Sequence, residues 1–255
     1  MILKVTASTG NITVVAGTES WYGGFSGDGG LATSATFHYL YGIALDNSGN
    51  MFVADYNNHR IRKITMSTGI ITTVAGNGGS DSAVDNVVAT STDLRSPKDV
   101  AVDTYGNIYI AQSRRVRNVT ASTGIITTFT GNGRRSGIYR TSAELGVSAS
   151  ACNLASPSGV TVDTSGNVFI TDEDFNSIYK VAASTGLITL VAGINKAGNG
   201  HNGDDIPATT ALLNNPRYIT LDAQGNIFFS DGENYRVRKI TASTGIITTV
   251  AAKFK

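Results

Sequence analysis

Apolar runs of strand length alternate with polar corners along the whole chain. Between residues 42 and 76, three polar corners separate four such runs, at 46–50, 55–59 and 67–69. The first two runs, 43–45 and 51–54, are apolar almost without interruption, which is typical of strands covered on both faces. The third run, 60–65, contains three basic residues and is predicted to lie in a wetter position, further from the centre.

This unit is repeated. The phrase STGIITTVAG at 67–76 returns four times with small changes, and its turn glycine stands at positions 10, 69, 124, 186 and 245. The glycines are 59, 55, 62 and 59 residues apart, and a near-fixed spacing indicates a repeat architecture. A sustained helical period is not found, so the segment 203–215 is predicted to hold one short helical turn at most.

Four runs per repeat predict small four-stranded sheets that pack face to face around an axis. The predicted fold class is all-β: a β-propeller of four complete four-stranded blades plus an amino-terminal half blade. Residues 1–255 are predicted to form a single propeller or a fragment of one. The half blade is expected at 2–17, and the blades, joined by long loops, at 42–76, 100–131, 160–193 and 219–252.

The half blade at 2–17 contains only the outer two runs of a repeat. Because the last blade already has its own outer runs, we expect that the chain does not close a ring by itself. The inner runs of that last blade, 219–222 and 226–230, are then expected to expose an apolar face. Self-association, or further blades of the same polypeptide, should cover it.

The pattern D-x-x-G-N, followed by a hydrophobic run, a second Asp and N-x-R, resembles the NHL repeat. It is clearest from Asp46 to Ile61 and from Asp222 to Val237. In the other two copies Gln112 replaces the second Asp and Ser177 replaces the Arg. The resemblance implies a β-propeller but leaves function open, since such propellers occur in lyases, RNA binders, sensors and extracellular adhesion proteins.

Alternating strand directions place the short turns on one propeller face, and the varied corners and long connections on the other. We predict that a protein or glycan ligand binds this varied face. The residues predicted to contribute to it are Trp21, Tyr22, Phe25, Tyr56, His59, Gln112, Glu173, Asp174, Glu233 and Tyr235.

Two sets of aspartates recur. The first set is predicted to cap its own turns, with calcium binding as the alternative, and comprises Asp46, Asp103, Asp163 and Asp222. The second set is predicted to form buried pairs with arginines such as Arg60 or Arg236, and comprises Asp55, Asp172 and Asp231.

Composition and charge argue against several classes of function. With 41% hydrophobic and 15% charged residues the chain is globular, and a net charge of +1 gives no reason to expect nucleic acid or an acidic membrane surface. No apolar run is long enough to span a membrane. The strongest basic cluster, predicted to be a solvated patch, with RNA binding as the alternative, is Arg114, Arg115, Arg117, Arg134, Arg135 and Arg140.

Enzymatic function requires converging acids, bases or metal ligands. The only histidines are His38, His59 and His201, and nothing in their spacing brings them together. The single cysteine, Cys152, is predicted to be a small buried hydrophobe. We therefore predict no catalytic residue, no metal and no cofactor. The alternative is a lyase or lactonase-like enzyme with a metal on the ring axis.

Two N-glycosylation sequons begin at Asn11 and Asn118. Both fall in outer runs that are expected to face water, which favours an exported protein, although no signal peptide is visible in the chain. The function predicted from the sequence is a non-catalytic, extracellular interaction or structural module.

Overall fold

A computed structural model describes residues 1–18, 23–81, 83–133, 146–194 and 199–252. The regular structure of this part of the chain is almost entirely β-strand. The strands in chain order are β1 (Ile2–Val5), β2 (Ile12–Ala16), β3 (Leu40–Leu45), β4 (Met51–Asp55), β5 (Arg60–Thr65), β6 (Ile70–Ala75), β7 (Val87–Val88), β8 (Asp99–Val102), β9 (Ile108–Gln112), β10 (Arg115–Val119), β11 (Ile125–Thr130), β12 (Pro157–Val162), β13 (Val168–Asp172), β14 (Ser177–Val181), β15 (Ile188–Ala192), β16 (Ile206–Pro207), β17 (Pro216–Leu221), β18 (Ile227–Asp231), β19 (Arg236–Ile240) and β20 (Ile246–Ala252).

Within the described ranges these strands form five antiparallel sheets. β1 and β2 form the half blade, β3–β6 blade 1, β8–β11 blade 2, β12–β15 blade 3 and β17–β20 blade 4. The four strands of a blade follow one another in sheet order, and we call them a, b, c and d. The half blade consists of strands c and d. The predicted fold class, four complete blades plus a half blade, is confirmed.

Each long connection first lies along the outer edge of the blade that it then enters. β7 pairs with β11 and β16 pairs with β20, while Leu31 and Ser148 make single bridges to the d strands of blades 1 and 3. A three-residue 3-10 helix follows in each connection, for example at Ala208–Thr210. The prediction of one short helical turn within 203–215 is therefore confirmed.

Apolar side chains fill the space between neighbouring blades. In the layer between blades 2 and 3, Tyr109 and Val116 pack with Val160, Ile170 and Tyr179. Equivalent layers lie between the half blade and blade 1, between blades 1 and 2, and between blades 3 and 4. Because successive side chains of a strand point to opposite faces, each internal blade contributes to two layers.

The third strand of the blades is not wet at its centre, contrary to the prediction from the sequence. Arg62, Arg117 and Arg238 on c strands are fully buried. Arg62 bonds to Asp55 at the end of strand b at 3.4 Å and to Asp28 of the preceding connection at 2.8 Å. Burying a guanidinium is tolerable only when carboxylates and carbonyls accept its hydrogen bonds, as they do for Arg62.

The partners predicted for the second set of aspartates were also wrong in detail. Asp55 and Asp231 pair with Arg62 and Arg238, the second arginine of each c strand. The first arginine of the strand, Arg60 in blade 1, is directed outward and donates to backbone carbonyls of the corner and the connection. The two arginines share one face of the strand, and only the inner one reaches the buried carboxylate.

The first end of the blade stack exposes apolar side chains. Ile43 and Leu45 on β3 are 50% and 61% exposed, whereas Val100, which occupies the position of Ile43 in blade 2, is 2% exposed. The difference arises because the half blade has no a and b strands to lie over β3. The outward face of the half blade is exposed as well, at Leu3, Val5, Ile12 and Val14.

At the other end of the stack, exposed apolar side chains are found on the outer strands of blade 4, and the two inner-strand residues Ile219 and Phe229 are buried. Ile219 and Phe229, in the inner runs predicted to expose an apolar face, are buried against blade 3. Their neighbours point the other way, and the exposed apolar residues of that free face include Val237 and Val250 on the outer strands. Both end faces therefore carry apolar residues at positions that are buried or partly buried in the internal layers.

Asp99, at the start of strand a in blade 2, ties the inner strands together. Its Oδ2 accepts a hydrogen bond of 2.9 Å from the backbone N–H of Val160 in blade 3, and its Oδ1 accepts one from Val100. The carboxyl also packs against Gly42 of blade 1, where any side chain would collide with it. Burial raises the pKa of Asp99 to about 7, and the two backbone hydrogen bonds offset this effect only in part.

The buried Asp99 gives the fold a specific pH dependence. Its folded pKa of about 7 lies above its ordinary value of 3.8, so the folded state holds this proton more tightly than the unfolded state. Stability from this group is present at acid pH and is lost as pH rises from about 4 to 7, by roughly 4 kcal/mol at about 1.4 kcal/mol per pKa unit.

We expect denaturant unfolding of Asp99→Asn to show this effect. The stability difference between wild type and variant should move in favour of the variant by roughly 3 kcal/mol between pH 5 and 8, because about two of the three pKa units of the shift lie in this range. Comparing the two proteins at each pH cancels the contributions of other carboxyl groups. A difference that does not change with pH would contradict this role for Asp99.

Candidate functional site

The propeller face that carries the a–b and c–d turns is nearly the same in every blade. Asp46 Oδ1 accepts hydrogen bonds from the backbone N–H groups of Ser48 and Asn50 at 2.9 and 2.8 Å. The same pattern recurs in the other three blades, at Asp103, Asp163 and Asp222. Hydrogen bonds from Asn226 lower the pKa of Asp222. The prediction that these aspartates cap their own turns is confirmed.

The a strands of the four blades line a central channel of about 480 Å³, with walls formed by residues 41–45, 99–102, 160–162 and 218–220. At the varied end, a smaller cavity of about 160 Å³ shares Tyr41 and Tyr218 with this channel. We call the residues that line the smaller cavity the mouth cluster: Tyr41, Tyr56, Lys98, Ser158, Glu173, Arg217 and Tyr218.

Four members of the mouth cluster occupy one repeat position, at or next to the start of strand a. These are Tyr41, Lys98, Ser158 and Arg217, one from each blade. They meet because the blades repeat around an axis, so the same position of each inner strand reaches the same height. The repeat thus places an aromatic ring, a hydroxyl and two cations around a single opening.

Sequence reasoning missed these four residues. The signal was present in the aligned starts of strand a, which read YGIALD, KDVAVD, SGVTVD and RYITLD. The last letters repeat a common pattern of apolar residues and a capping Asp, whereas the first letter changes character in every blade. In a repeat protein, a position that varies while its neighbours are repeated is a candidate for ligand contact.

Charged groups connect three blades at the mouth. Lys98 of blade 2 donates to Glu173 of blade 3 and, at 3.0 Å, to the hydroxyl of Ser156. Ser156 in turn donates to the same carboxylate at 2.8 Å. Arg217 of blade 4 approaches the other oxygen of Glu173 at 3.7 Å. Glu173 is therefore held by Lys98, and Arg217 stands beyond hydrogen-bond distance from it.

Aromatic rings form the opposite side of the mouth. Tyr41 and Tyr56 are stacked with ring centroids 4.5 Å apart and planes inclined by 27°. Burial raises the pKa of Tyr218, and the nearby Tyr41 and Asp99 add to the shift. The Tyr218 hydroxyl therefore keeps its proton at neutral pH and remains a hydrogen-bond donor.

Some of the residues predicted for the varied face are found at or beside this mouth. Tyr56 and Glu173 line the cavity, and Glu233 approaches Arg217 at 4.0 Å. Asp174 and Tyr235 are exposed in corners of the same face. Trp21 and Tyr22 lie outside the described residues.

Three other predicted face residues hold the structure together. Gln112 is 2% exposed, and its side-chain oxygen accepts a hydrogen bond from the backbone N–H of Arg95. His59 Nδ1 accepts one of 3.1 Å from the backbone of Ser96 and so joins blades 1 and 2. The Phe25 ring lies under the guanidinium of Arg60, 3.7 Å from ring centroid to the Cζ atom.

The prediction of a solvated basic patch is wrong for Arg117. Arg117 is fully buried and bonds to Asp85 of the preceding connection at 2.7 Å. The reason is the alternation of strand β10, which directs Arg117 into the position that Arg62 occupies in blade 1. Of the remaining arginines in the cluster, Arg134, Arg135 and Arg140 lie outside the described residues.

The three histidines occupy separate places. His38 contacts Asn57 at 3.2 Å, His59 joins blades 1 and 2, and His201 approaches Asp204 at 3.9 Å. In the described part of the chain, no group of three or more His, Cys, Asp or Glu side chains is placed to hold a metal ion. Over the same residues, no helix has the length and apolar character needed to cross a membrane.

The two sequon asparagines differ in accessibility. Asn11 is exposed in the turn that precedes β2. Asn118, which was expected to face water, is half-buried on β10, and its amide approaches the carbonyl of Ile108 at 3.5 Å. Of the two, Asn11 has the geometry of an accessible acceptor.

Comparison with known proteins supports the repeat assignment. The sequence model of the NHL repeat matches residues 37–64. The chain is 28% identical to Teneurin-3 of Mus musculus over 262 residues, which is 95% of this chain and 10% of that protein. It is 25% identical to NHL repeat-containing protein 2 of Homo sapiens, over 87% of this chain and 34% of that protein. The chain thus spans only a minor part of these relatives.

Solved structures share the fold. An auxiliary nutrient binding protein from Bacteroides thetaiotaomicron matches 98% of this chain and 53% of its own, with a TM-score of 0.62 and 15% identity. Virginiamycin B lyase from Staphylococcus aureus matches 99% of this chain and 63% of its own, with a TM-score of 0.52 and 18% identity. At these identities the likeness concerns the fold and assigns no reaction to this chain. The repeated sequence pattern, the match at residues 37–64 and the blades identify the chain as a β-propeller that contains an NHL repeat.

Proposed function

We propose that the protein is a non-catalytic interaction module that receives a protein partner on its varied face, with the mouth cluster at the centre of contact. The observation that supports this most is the repeat position at the start of strand a. The backbone around this position is the same in every blade, whereas its four side chains differ and line one opening. Tyrosine and arginine are the residue types that most often anchor protein partners.

Other observations agree with this role. The similarity to Teneurin-3 extends over nearly the whole chain, so the repeats of both proteins share a common pattern. We place the module outside the cell, and the exposed sequon at Asn11 supports export. The enzyme alternative has weaker support, because the histidines do not converge and the likeness to the lyase is one of fold.

A pair of surface variants tests the proposed face. In the variant Tyr41→Ala/Arg217→Ala the mouth loses a stacked ring and its most exposed cation, and in the control Tyr105→Ala an exposed ring is removed from a turn on the opposite face. Each purified chain is cross-linked to extracts of its source and the joined proteins are identified. Proteins that join to wild type and control should be lost with the mouth variant.

The same set of joined proteins with all three chains would contradict the proposed face. Circular dichroism and thermal unfolding of the three proteins show whether the mouth variant is folded. Tyr41 and Arg217 are both partly exposed, so their removal should change the melting temperature little.

We further propose that copies of the chain associate head to tail through their two end faces. The free face of blade 4 presents Val237 and Val250, and the free face at the other end presents Ile43 and Leu45. Equivalent positions are buried or partly buried in the internal layers, so each end offers one half of a blade-to-blade contact. Apolar faces of this kind lose about 25 cal/mol for every Å² left in water.

Sedimentation of two end variants tests this association. The wild-type chain should associate in the micromolar range, and Leu45→Ser or Val250→Ser should each weaken association about tenfold, as expected for one buried aliphatic side chain. Because the two ends differ, a mixture of the variants should restore pairing through the intact end of each. The variant Tyr105→Ser serves as control for the loss of an exposed side chain.

A wild-type chain that stays monomeric across this range would contradict head-to-tail association. So would a mixture that associates no better than each variant alone, since that result would indicate a contact between like ends.

A further inference from the structure

The size of the mouth cavity limits what it can hold. Small-molecule sites usually enclose roughly 300–1,000 Å³, whereas the mouth encloses about 160 Å³. A space of this size receives one chemical group that projects from a larger partner. This inference rests on the proposed function, in which that partner is a protein.

Arg217 is the cation at the mouth with free hydrogen-bonding capacity. Its side chain is 50% exposed, and its nearest carboxylate oxygens, on Glu173 and Glu233, are 3.7 and 4.0 Å away. Its Nε donates at 3.2 Å to the side chain of Asn215, which fixes one side of the guanidinium. The terminal nitrogens carry donors that match a planar carboxylate.

The buried arginines of the same fold provide the contrast. Arg62 and Arg238 each donate to two carboxylates and one backbone carbonyl. Their positive charges are therefore paired inside the fold. Arg217 makes no equivalent contact at hydrogen-bond distance with a carboxylate in the described residues. Its terminal nitrogens are thus available to donate to a ligand, while the carboxylates 3.7 and 4.0 Å away already face its charge.

The rest of the mouth cluster suits the same group. Lys98 already holds one carboxylate, that of Glu173, at the wall of the cavity. Tyr218 keeps its proton and lines the same cavity as Arg217, so its hydroxyl offers a further donor. The stacked rings of Tyr41 and Tyr56 form an apolar wall for the carbon chain that carries the charged group.

The charge balance disfavours a ligand group that carries more than one negative charge. Lys98 and Arg217 supply two positive charges, and Glu173 and Glu233 supply two negative ones within 4.0 Å of these cations. A phosphate or a nucleic-acid backbone brings more negative charge into this neutral cluster and meets repulsion from both carboxylates. A carboxylate brings one charge and can take the open side of Arg217.

We propose that the mouth recognises an acidic side chain, Glu or Asp, of the protein partner. Arg217 binds its carboxylate in a bidentate manner, Tyr218 donates to it, and Tyr41 contacts its methylene groups. The surrounding corners supply the rest of the contact area.

Titration of the full chain with N-acetylglutamic acid N-methylamide tests this assignment by NMR. The Nε–Hε resonance of Arg217 and the ring resonances of Tyr41 and Tyr218 should shift and saturate in the millimolar range, as expected for one group. The matched glutamine compound, which lacks only the charge, should shift them at least tenfold more weakly.

Three variants complete the test. Arg217→Gln should lower the affinity for the glutamate compound roughly tenfold, because it removes the charged donor. Arg236→Gln is the control, since Arg236 donates to the carbonyl of Asn234 away from the mouth. Glu233→Gln should raise the affinity roughly two- to fivefold, because it removes an exposed competing carboxylate.

Equal shifts with the glutamate and glutamine compounds would overturn the assignment, as would an Arg217→Gln variant that binds normally. Tighter saturation with glucuronate or with inorganic phosphate would assign the mouth to a sugar acid or a phosphate instead. The cross-linking experiment separates the two proposals. If the mouth variant loses its partners while the glutamate compound fails to bind, the interaction module stands and the acidic side chain does not.

Discussion

Each blade of this protein is a sheet that is apolar on both faces, and the rest of the structure follows from that constraint. A sheet of this kind is stable only when another sheet covers each side. Blades 2 and 3 meet the requirement within the chain, through layers that include Ile110 on one side and Tyr109 with Ile170 on the other. Each internal blade is therefore covered on both faces by its neighbours. In the described residues, each end of the stack leaves one apolar face exposed.

The same stacking that buries the faces creates the candidate site. Blades that pack in equal steps around an axis bring one position of each a strand to a common opening, whatever residue stands there. Asp99 links the inner strands of blades 1 to 3, and buried arginines such as Arg62 link the connections before blades 1, 2 and 4 to those blades. With the backbone fixed in this way, Lys98 and Arg217 can differ from Tyr41 without cost to the fold.

Much of the fold could be predicted from the sequence, because its signals are local. The recurring STG turns, the D-x-x-G-N turns with their capping Asp, and the uninterrupted apolar runs each depend on neighbouring residues. The partners of Arg62 and Arg117 could not be predicted, since Asp28 and Asp85 come from connections about 34 and 32 residues earlier in the chain. For that reason the sequence alone predicts that the charged c strand is exposed to solvent.

The site was less predictable than the fold. Tyr56 and Glu173 were found because corners are varied and exposed, whereas Gln112 lay in a similar corner and is buried. Arg217 and Lys98 are remote in sequence and converge only through the curvature of the blade stack. An alignment of the repeats shows that the two residues share one position. That this position lies at the mouth of the channel depends on how the blades pack, which the alignment does not show.

Hydrogen exchange of backbone amides, measured at several protein concentrations, tests most directly whether coverage of both faces governs this fold. In dilute solution, amides of β1, β2 and β20 should exchange much faster than those of β9 and β13, which lie in internal blades. Their protection should rise with concentration as copies cover the end faces. Uniform protection across the blades, unchanged by dilution, would contradict the account.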